Sequence, residues 1–281
     1  MILSALLAAA LAFTPDDASF AYGVARDFVA DCTPRDAGTI RGGIAAGWLL
    51  DRASLTGADV RRDSFTAQTP VGERRFTNLY AEFKADETNR WVVLVSHFDT
   101  KHGCPGANDG ASTSGLLVAF ANILARAPRP AGNVMLVWTD GEECQGERYS
   151  RDDGLQGSRR AAEHLKRKAR PVQAVICLDM LGDRDLNISI PANGTRSLAR
   201  IACHAARRIG EPGLVALSAD SVMDDHLPFL EAGYRAIDLI DFDYGPGNCW
   251  WHTAEDTCDK ISEASLLKAG RLVAEMLNIL L

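Results

Sequence analysis

Short apolar runs without polar alternation recur along the chain, a pattern typical of strands that are buried on both faces of a sheet. The clearest runs are Val92–Val95, Val134–Val137 and Val175–Leu178. Together with weaker β-rich runs they predict strands at Phe76–Phe83, Trp91–Ser96, Val134–Thr139, Ala174–Leu178, Asn187–Ile190 and Ala236–Ile240.

Longer stretches with helical spacing of apolar residues lie between and after these strands. Alternating strands and helices predict an α/β fold with a mixed, mostly parallel central sheet flanked by helices. No repeat, low-complexity tract or linker divides the chain, so we expect a single domain over residues 18–281. The predicted helices are Ala111–Ala127, Ser158–Lys168, Arg196–Arg208, Asp224–Ala232 and Glu263–Leu280.

Composition narrows the class of protein. Of 281 residues, 47% are apolar and 24% are charged, which is typical of a globular chain and excludes a disordered or coiled-coil protein. Asp and Glu outnumber Lys and Arg by 37 to 30, giving a formal charge of −7. No basic face is indicated, so nucleic acid is not an expected partner.

Residues 1–12 form an uncharged apolar run of signal-peptide length, and Ala10-Leu11-Ala12 fits the small-x-small cleavage rule. We interpret this run as a signal peptide of a secreted or periplasmic protein. The run has no Lys or Arg before it, so the alternative is an N-terminal helix packed on the core of a cytoplasmic protein. No later apolar run reaches the roughly 18 residues that span a bilayer.

Histidines and acidic residues follow several of the predicted strands. Because the carboxyl ends of parallel strands meet at one edge of a sheet, we expect these side chains to converge there. Any one of them alone is typical of a turn or cap. Together, carboxylates and imidazoles are the ligands of catalytic zinc, and in a Glu pair one residue can bind metal while the other moves protons. The residues are His97, Asp99, Asp109, Glu142, Glu143, Asp179 and His252.

The order of these motifs resembles that of the zinc-dependent aminopeptidase clan: His-x-Asp, Gly-Ala-x-Asp, Glu-Glu, Asp-Met-x-Gly and His-Thr. Within that clan the chain from Arg35 to Leu280 is most similar to the animal-type (type II) glutaminyl-peptide cyclotransferases and their bacterial relatives. Plain aminopeptidases usually carry Ser-Asp-His and Tyr-His-Thr where this chain has Asp-Asp-His and Trp-His-Thr. The stretches that carry the similarity are Phe65–Asn78, Tyr149–Arg159, Asp224–Leu230 and Trp251–Thr253.

The resemblance implies a role for each matching residue. It implies one zinc ion, while leaving open a second ion held by His97 and Asp179 with the first-site Asp as a bridge. The zinc ligands it implies are Asp109, Glu143 and His252; the general acid/base is Glu142, beside the paired carboxylates Asp179 and Asp224; the substrate pocket is walled by Trp251 and Tyr149.

The function implied is that of an acyltransferase, which converts the N-terminal Gln of a peptide or protein into pyroglutamate and releases ammonia. The alternatives are a zinc aminopeptidase with one or two ions and a non-catalytic zinc- or peptide-binding protein. Three places depart from the cyclotransferase pattern: Ser96 replaces a cysteine of the family disulfide, Asp238 replaces a histidine, and Arg184 and Asp185 are more similar to the aminopeptidases.

The chain has seven cysteines, an odd number that leaves at least one thiol without a partner inside the chain. Cys104 and Cys144 fall in two loops beside the predicted metal site and could form a disulfide. Cys249 and Cys258 could form another.

Overall fold

The computed structural model describes residues 10–85, 90–127, 132–146, 150 and 153–281. Within these residues the strands form one sheet. They are β1 (Val60–Thr69), β2 (Gly72–Phe83), β3 (Trp91–His97), β4 (Asn133–Thr139), β5 (Val172–Asp179), β6 (Ile188–Ile190), β7 (Val215–Leu217) and β8 (Ala236–Ile240), in the spatial order β1-β2-β4-β3-β5-β8-β6-β7.

Four parallel strands form the middle of this sheet. Strand β3 pairs with β4 on one side and with β5 on the other, and β5 continues to β8. Every residue of β3 and β4 is buried, as their unbroken apolar sequences predict. At the edges, the β1–β2 hairpin pairs antiparallel with β4, and β6 is antiparallel to β8. The prediction of an α/β fold with a mixed, mostly parallel sheet is confirmed.

Helices cover both faces of the sheet. A large hydrophobic core joins one face to five helices, and a smaller core joins the other face to α4 and α6. A π-helical turn at Ala107–Ser112 leads into α3, and a 3-10 turn lies at Pro246–Asn248. The helices are α1 (Pro15–Cys32), α2 (Ile40–Ser54), α3 (Thr113–Arg126), α4 (Gln156–Arg167), α5 (Arg196–Arg208), α6 (His226–Glu231) and α7 (Glu263–Leu280).

The segment before α1 packs on the domain. The side chain of Asn278 bonds both backbone groups of Leu11, at 2.8 and 2.9 Å, and the ring centroid of Phe13 lies 5.3 Å from that of Phe120. Residues 1–9 lie outside the described residues, so the signal peptide stays a prediction. Among the described helices, none combines the length and the apolar character that crossing a bilayer requires.

Candidate active site

The carboxyl ends of the parallel strands bring together the residues that follow them. His97 is the last residue of β3 and Asp179 the last of β5, while Glu142 and Glu143 come three and four residues after the end of β4. Helix α6 begins at His226, later than the predicted start at Asp224, so Asp224 lies in the segment that enters the helix. The expected convergence at this edge of the sheet is observed.

Asp109, Glu143 and His252 form a cluster of metal-ligand type, with one ligand atom from each residue within 4.8 Å of the others. Nε2 of His252 lies 3.0 Å from Oε1 of Glu143 and 3.4 Å from Oδ2 of Asp109. His252 has a φ of 56°, a left-handed conformation uncommon for a residue other than glycine. Two carboxylates and an imidazole suit zinc and leave a coordination position open, as in catalytic zinc sites.

A second cluster shares Asp109 with the first. Nε2 of His97 lies 3.1 Å from Oδ1 of Asp109 and 3.1 Å from Oδ1 of Asp179. Asp109 therefore has one carboxylate oxygen facing each cluster. This is the arrangement that a bridging carboxylate between two ions requires.

Asp99 positions the Glu pair, a role that the sequence left unassigned. Its buried carboxylate accepts the backbone N–H groups of Gly141, Glu142 and Glu143, at 2.9, 3.2 and 3.0 Å. Three such bonds fix the backbone from which the two Glu side chains diverge. The His-x-Asp motif was the signal for this residue, but its partners are about 40 positions away and only the fold identifies them.

Two further buried residues hold the loop that carries Asp109. The carboxylate of Asp256 accepts the backbone N–H groups of Asn108 and Asp109, at 2.8 and 3.2 Å. The fully buried Arg35 guanidinium donates to the carbonyl oxygens of Phe98, Pro105 and Gly106. Sequence reasoning missed both residues because neither lies in a recognisable motif. Together they anchor the loop from both sides.

Burial and neighbouring charge determine the protonation of the ligand cluster. Burial opposes the charged form of His252, but hydrogen bonds to Asp109 and Glu143 outweigh it and raise the pKa of this imidazole to about 10. Burial, followed by the charge of Asp109, raises the pKa of Glu143 to about 7. The buried carboxylates are therefore stable as anions only beside a positive charge. Protonated imidazoles supply that charge without metal, and a bound divalent ion would supply it in their place.

Three carboxyl groups beside the cluster favour their protonated forms. Burial, with the added charge of Glu143, raises the pKa of Glu142 well above its usual value. Burial and then the charge of Asp179 do the same for the pKa of Asp224, and burial and Asp224 do so for that of Asp238. Groups of this kind can hold a proton at neutral pH and release it.

A cavity of about 480 Å³ lies over the metal cluster and is lined by Glu142, Ile240 and Trp251 among others. The indole of Trp251 stacks on the ring of His252 at a centroid distance of 3.9 Å, and the ring of Phe242 lies 4.9 Å from Trp251. An apolar wall therefore faces the carboxylates. Tyr149, which we expected in this pocket, lies outside the described residues.

All seven cysteines are free thiols, so neither of the expected disulfides is formed. Cys104 is buried and donates to the carbonyl oxygen of His102, whereas the half-buried Cys144 donates to that of Asp153. Each thiol thus has its own acceptor in its own loop.

Comparisons with known proteins agree with this site. The sequence model of peptidase family M28 matches residues 78–277. A glutaminyl-peptide cyclotransferase of Bothrops jararaca is 26% identical over 285 aligned positions, which cover 84% of this chain and 73% of that protein. The crystal structure of Acidobacteriales bacterium glutaminyl cyclase superposes with a TM-score of 0.87 at 32% identity, covering 100% of this chain and 98% of the other.

A structure of a leucine aminopeptidase precursor from Bacteroides thetaiotaomicron shares the fold, with a TM-score of 0.84 at 22% identity and coverage of 97% of this chain and 99% of the other. The family match runs from within β2 through most of α7 and includes every residue of the two metal-ligand clusters, from His97 to His252. With this fold and this convergence of carboxylates and imidazoles, the chain belongs to peptidase family M28.

Proposed function

We propose that the protein is a zinc-dependent glutaminyl-peptide cyclotransferase, which converts an N-terminal Gln of a peptide or protein into pyroglutamate with release of ammonia. The observation that carries the proposal is Glu142, a carboxyl group with a raised pKa that lines the cavity beside the Asp109–Glu143–His252 cluster, under an aromatic wall. The 32% identity to a structure named as a glutaminyl cyclase supports this choice within the family.

Asp109, Glu143 and His252 would hold the zinc ion. When bound, it supplies Lewis-acid polarisation of the substrate's side-chain amide carbonyl. Oε1 of Glu143 is buried and lies 3.0 Å from Nε2 of His252, so an ion bound beside these two atoms would be held by both. An imidazole in the set favours zinc over magnesium. We propose one ion per chain.

Glu142 would carry the single proton that the reaction moves. The substrate's α-amine attacks the Cδ carbon of its own side chain and loses a proton to the Glu142 carboxylate. The C–N bond of the amide then breaks, and Glu142 returns that proton to the departing nitrogen, which leaves as ammonia. A carboxyl group with a raised pKa suits both transfers, because its affinity for the proton is closer to that of its partners.

Trp251 and Phe242 would govern which nucleophile reacts. The reacting amine and amide belong to the same Gln residue of the substrate, so catalysis depends on holding that residue in a bent conformation. The aromatic wall excludes the water that would otherwise hydrolyse the amide to Glu. Asp224, with its raised pKa, limits the negative charge that Glu142 faces.

A zinc aminopeptidase is the second candidate, and one specific observation favours it. His97 and Asp179 approach Asp109 from the side opposite His252, so a second ion has a complete set of residues. Two ions with a bound water would suit hydrolysis of the first peptide bond. The ligand residues and the distances between them are compatible with both functions.

The test compares two peptide amides that differ only in the first residue, Gln or Leu. We expect ammonia and a pyroglutamyl product from the Gln peptide and no free Leu from the other. Release of Leu would establish the aminopeptidase instead, and absence of both products would leave a binding protein. Metal analysis of the same sample should give one zinc ion per chain.

We also propose that residues 1–12 direct export and are removed. The mass of the mature protein recovered from its native host checks this, since retention of all twelve residues would exclude it.

A further inference from the structure

A second cavity adjoins the active-site cavity. It has a volume of about 870 Å³, and Met223, which is 50% exposed, lines both cavities. Its walls come from the end of β1 and the turn after it, from the beginning of α4, and from the segment that includes α6. A molecule that occupies the active-site cavity and is too long for it can therefore continue over Met223.

Most of these walls belong to parts of the sequence that the chemistry does not use. Described residues from three of the stretches that carry the similarity to the cyclotransferases contribute to them: Phe65–Asn78, Tyr149–Arg159 and Asp224–Leu230. In the first two stretches, no described residue is a ligand in either metal cluster or lines the active-site cavity. A role in holding substrate accounts for their position.

The lining of the second cavity suits a polypeptide. The lining combines uncharged polar side chains such as Gln68 with apolar ones such as Leu227. It also includes Arg159 and Glu231, one charge of each sign. Such a mixture offers hydrogen bonds to peptide groups and apolar contact to side chains, without a concentration of one charge. The active-site cavity itself has room for little more than the first residues of a peptide.

We propose that the second cavity is an extended subsite, which binds the residues that follow the N-terminal Gln and makes polypeptides better substrates than dipeptides. The proposal rests on the proposed function for the identity of the first residue. An extended chain advances by about 3.3–3.6 Å per residue, so a hexapeptide of about 20 Å extends beyond the active-site cavity and can continue over Met223. Contacts there retain substrate and raise kcat/KM, because they add binding energy away from the reacting atoms.

The experiment fills the second cavity and leaves the active site intact. Gln68 and Glu231 are both exposed, so Gln68→Trp and Glu231→Trp each add bulk without disturbing the core. Leu217→Trp is the matched control, because Leu217 is 65% exposed on β7, at the sheet edge opposite β1. Ammonia release is measured with a Gln-initiated dipeptide amide and a hexapeptide amide that shares its first two residues.

We expect the wild-type kcat/KM to be about fivefold to tenfold higher for the hexapeptide, mainly through KM. Both filling variants should lose this advantage and keep the dipeptide rate, while Leu217→Trp changes neither. Equal kcat/KM for the two lengths in wild type, or an advantage that survives both filling variants, would overturn the proposal.

A binding measurement separates the subsite from the reaction. An Asn-initiated hexapeptide with a fluorescent C-terminus is not cyclised in this way, since its shorter side chain would have to close a four-membered ring. Fluorescence anisotropy should show weaker binding, again by about fivefold, to both filling variants. If no Gln peptide releases ammonia but this difference in binding is found, the proposed function fails and the subsite stands. If the affinities are equal, the subsite is excluded whatever the activity.

Discussion

Glu142 and Glu143 are adjacent residues of the same type, but the fold gives their side chains different environments. Glu143 is buried with Oε1 3.0 Å from Nε2 of His252, whereas Glu142 is half-buried and lines the active-site cavity. The backbone bonds to Asp99 hold the residues so that the two side chains diverge. One carboxylate is thus available to metal and the other to substrate.

Replacing Glu142 by Gln removes the proton carrier and keeps the shape of the side chain. We expect kcat to fall by at least about 100-fold, a usual loss for a general acid/base, with zinc content unchanged. Ammonia release and metal analysis measure the two effects. Glu163→Gln, on the exposed side of α4, is the matched control and should behave as wild type. Near-normal turnover in Glu142→Gln would assign proton transfer to another group.

Asp99→Asn tests the positioning of the Glu pair. The Asn amide can offer only one acceptor oxygen to three N–H donors, and its NH2 group opposes at least one of them. We expect zinc affinity to fall by about 10- to 100-fold, as for other residues that orient metal ligands. Competition with a chelator measures the affinity, with the exposed Asp243→Asn as control. Unchanged affinity would mean that the loop is held by other contacts.

Strand β1 shows how an element can depend on its neighbours. It has no apolar run and was not predicted; it forms because β2 pairs with it over ten residues and α2 packs beside it. Arg160 of α4 donates two hydrogen bonds to the Asp63 carboxylate of β1, at 2.8 and 2.9 Å. Tertiary contacts, rather than local propensity, determine this strand.

Asp63→Asn should weaken that connection in a pH-dependent way. Hydrogen bonds from Arg160 hold the pKa of Asp63 below its usual value. The stabilisation is therefore present above the unfolded pKa of about 3.9 and is lost as pH falls through the folded pKa. We expect a loss of about 1 kcal/mol at pH 7 for this partly buried pair, shrinking below about pH 4.

Urea unfolding at a series of pH values measures this loss. Asp59→Asn, which removes an exposed ion pair with Arg61, is the control and should have little effect at any pH. A constant difference between Asp63→Asn and wild type down to pH 3 would contradict the electrostatic explanation.

At the scale of the whole molecule, a bound ion would join segments that are distant in sequence. Asp109 precedes α3, Glu143 follows β4, and His252 lies beyond the last strand. An ion held by all three binds the folded chain and not the unfolded one, so it stabilises the fold by mass action.

Removing the ion with a chelator should lower the melting temperature by roughly 5–10 °C, as for free metal near 100 times its Kd, and added zinc should restore it. Thermal unfolding followed by circular dichroism measures this shift. His252→Ala, which lacks one ligand, should show a much smaller shift. An unchanged melting temperature on metal removal in the wild type would exclude a metal site that joins these segments.

The sequence by itself determined the α/β class, most of the buried strands and helices, the resemblance to the zinc-dependent aminopeptidase clan and the residues of the metal clusters. These features depend on local patterns, because an apolar run indicates a strand that is buried on both faces and a short polar motif marks the end of a strand. Helices α1 and α2 and strands β1 and β7 were not predicted. In α2 three glycines weaken the helical signal, and β1 and β7 are edge strands, half-exposed or short.

Only the tertiary structure decided which side chains meet and what charge they carry there. Asp99 beneath the Glu pair, the anchors Arg35 and Asp256, the free cysteines and the second cavity all depend on distances between segments far apart in sequence. The raised pKa values of Glu142, Asp224 and Asp238 arise from burial and from the charges of neighbouring carboxylates, neither of which is a property of an isolated motif.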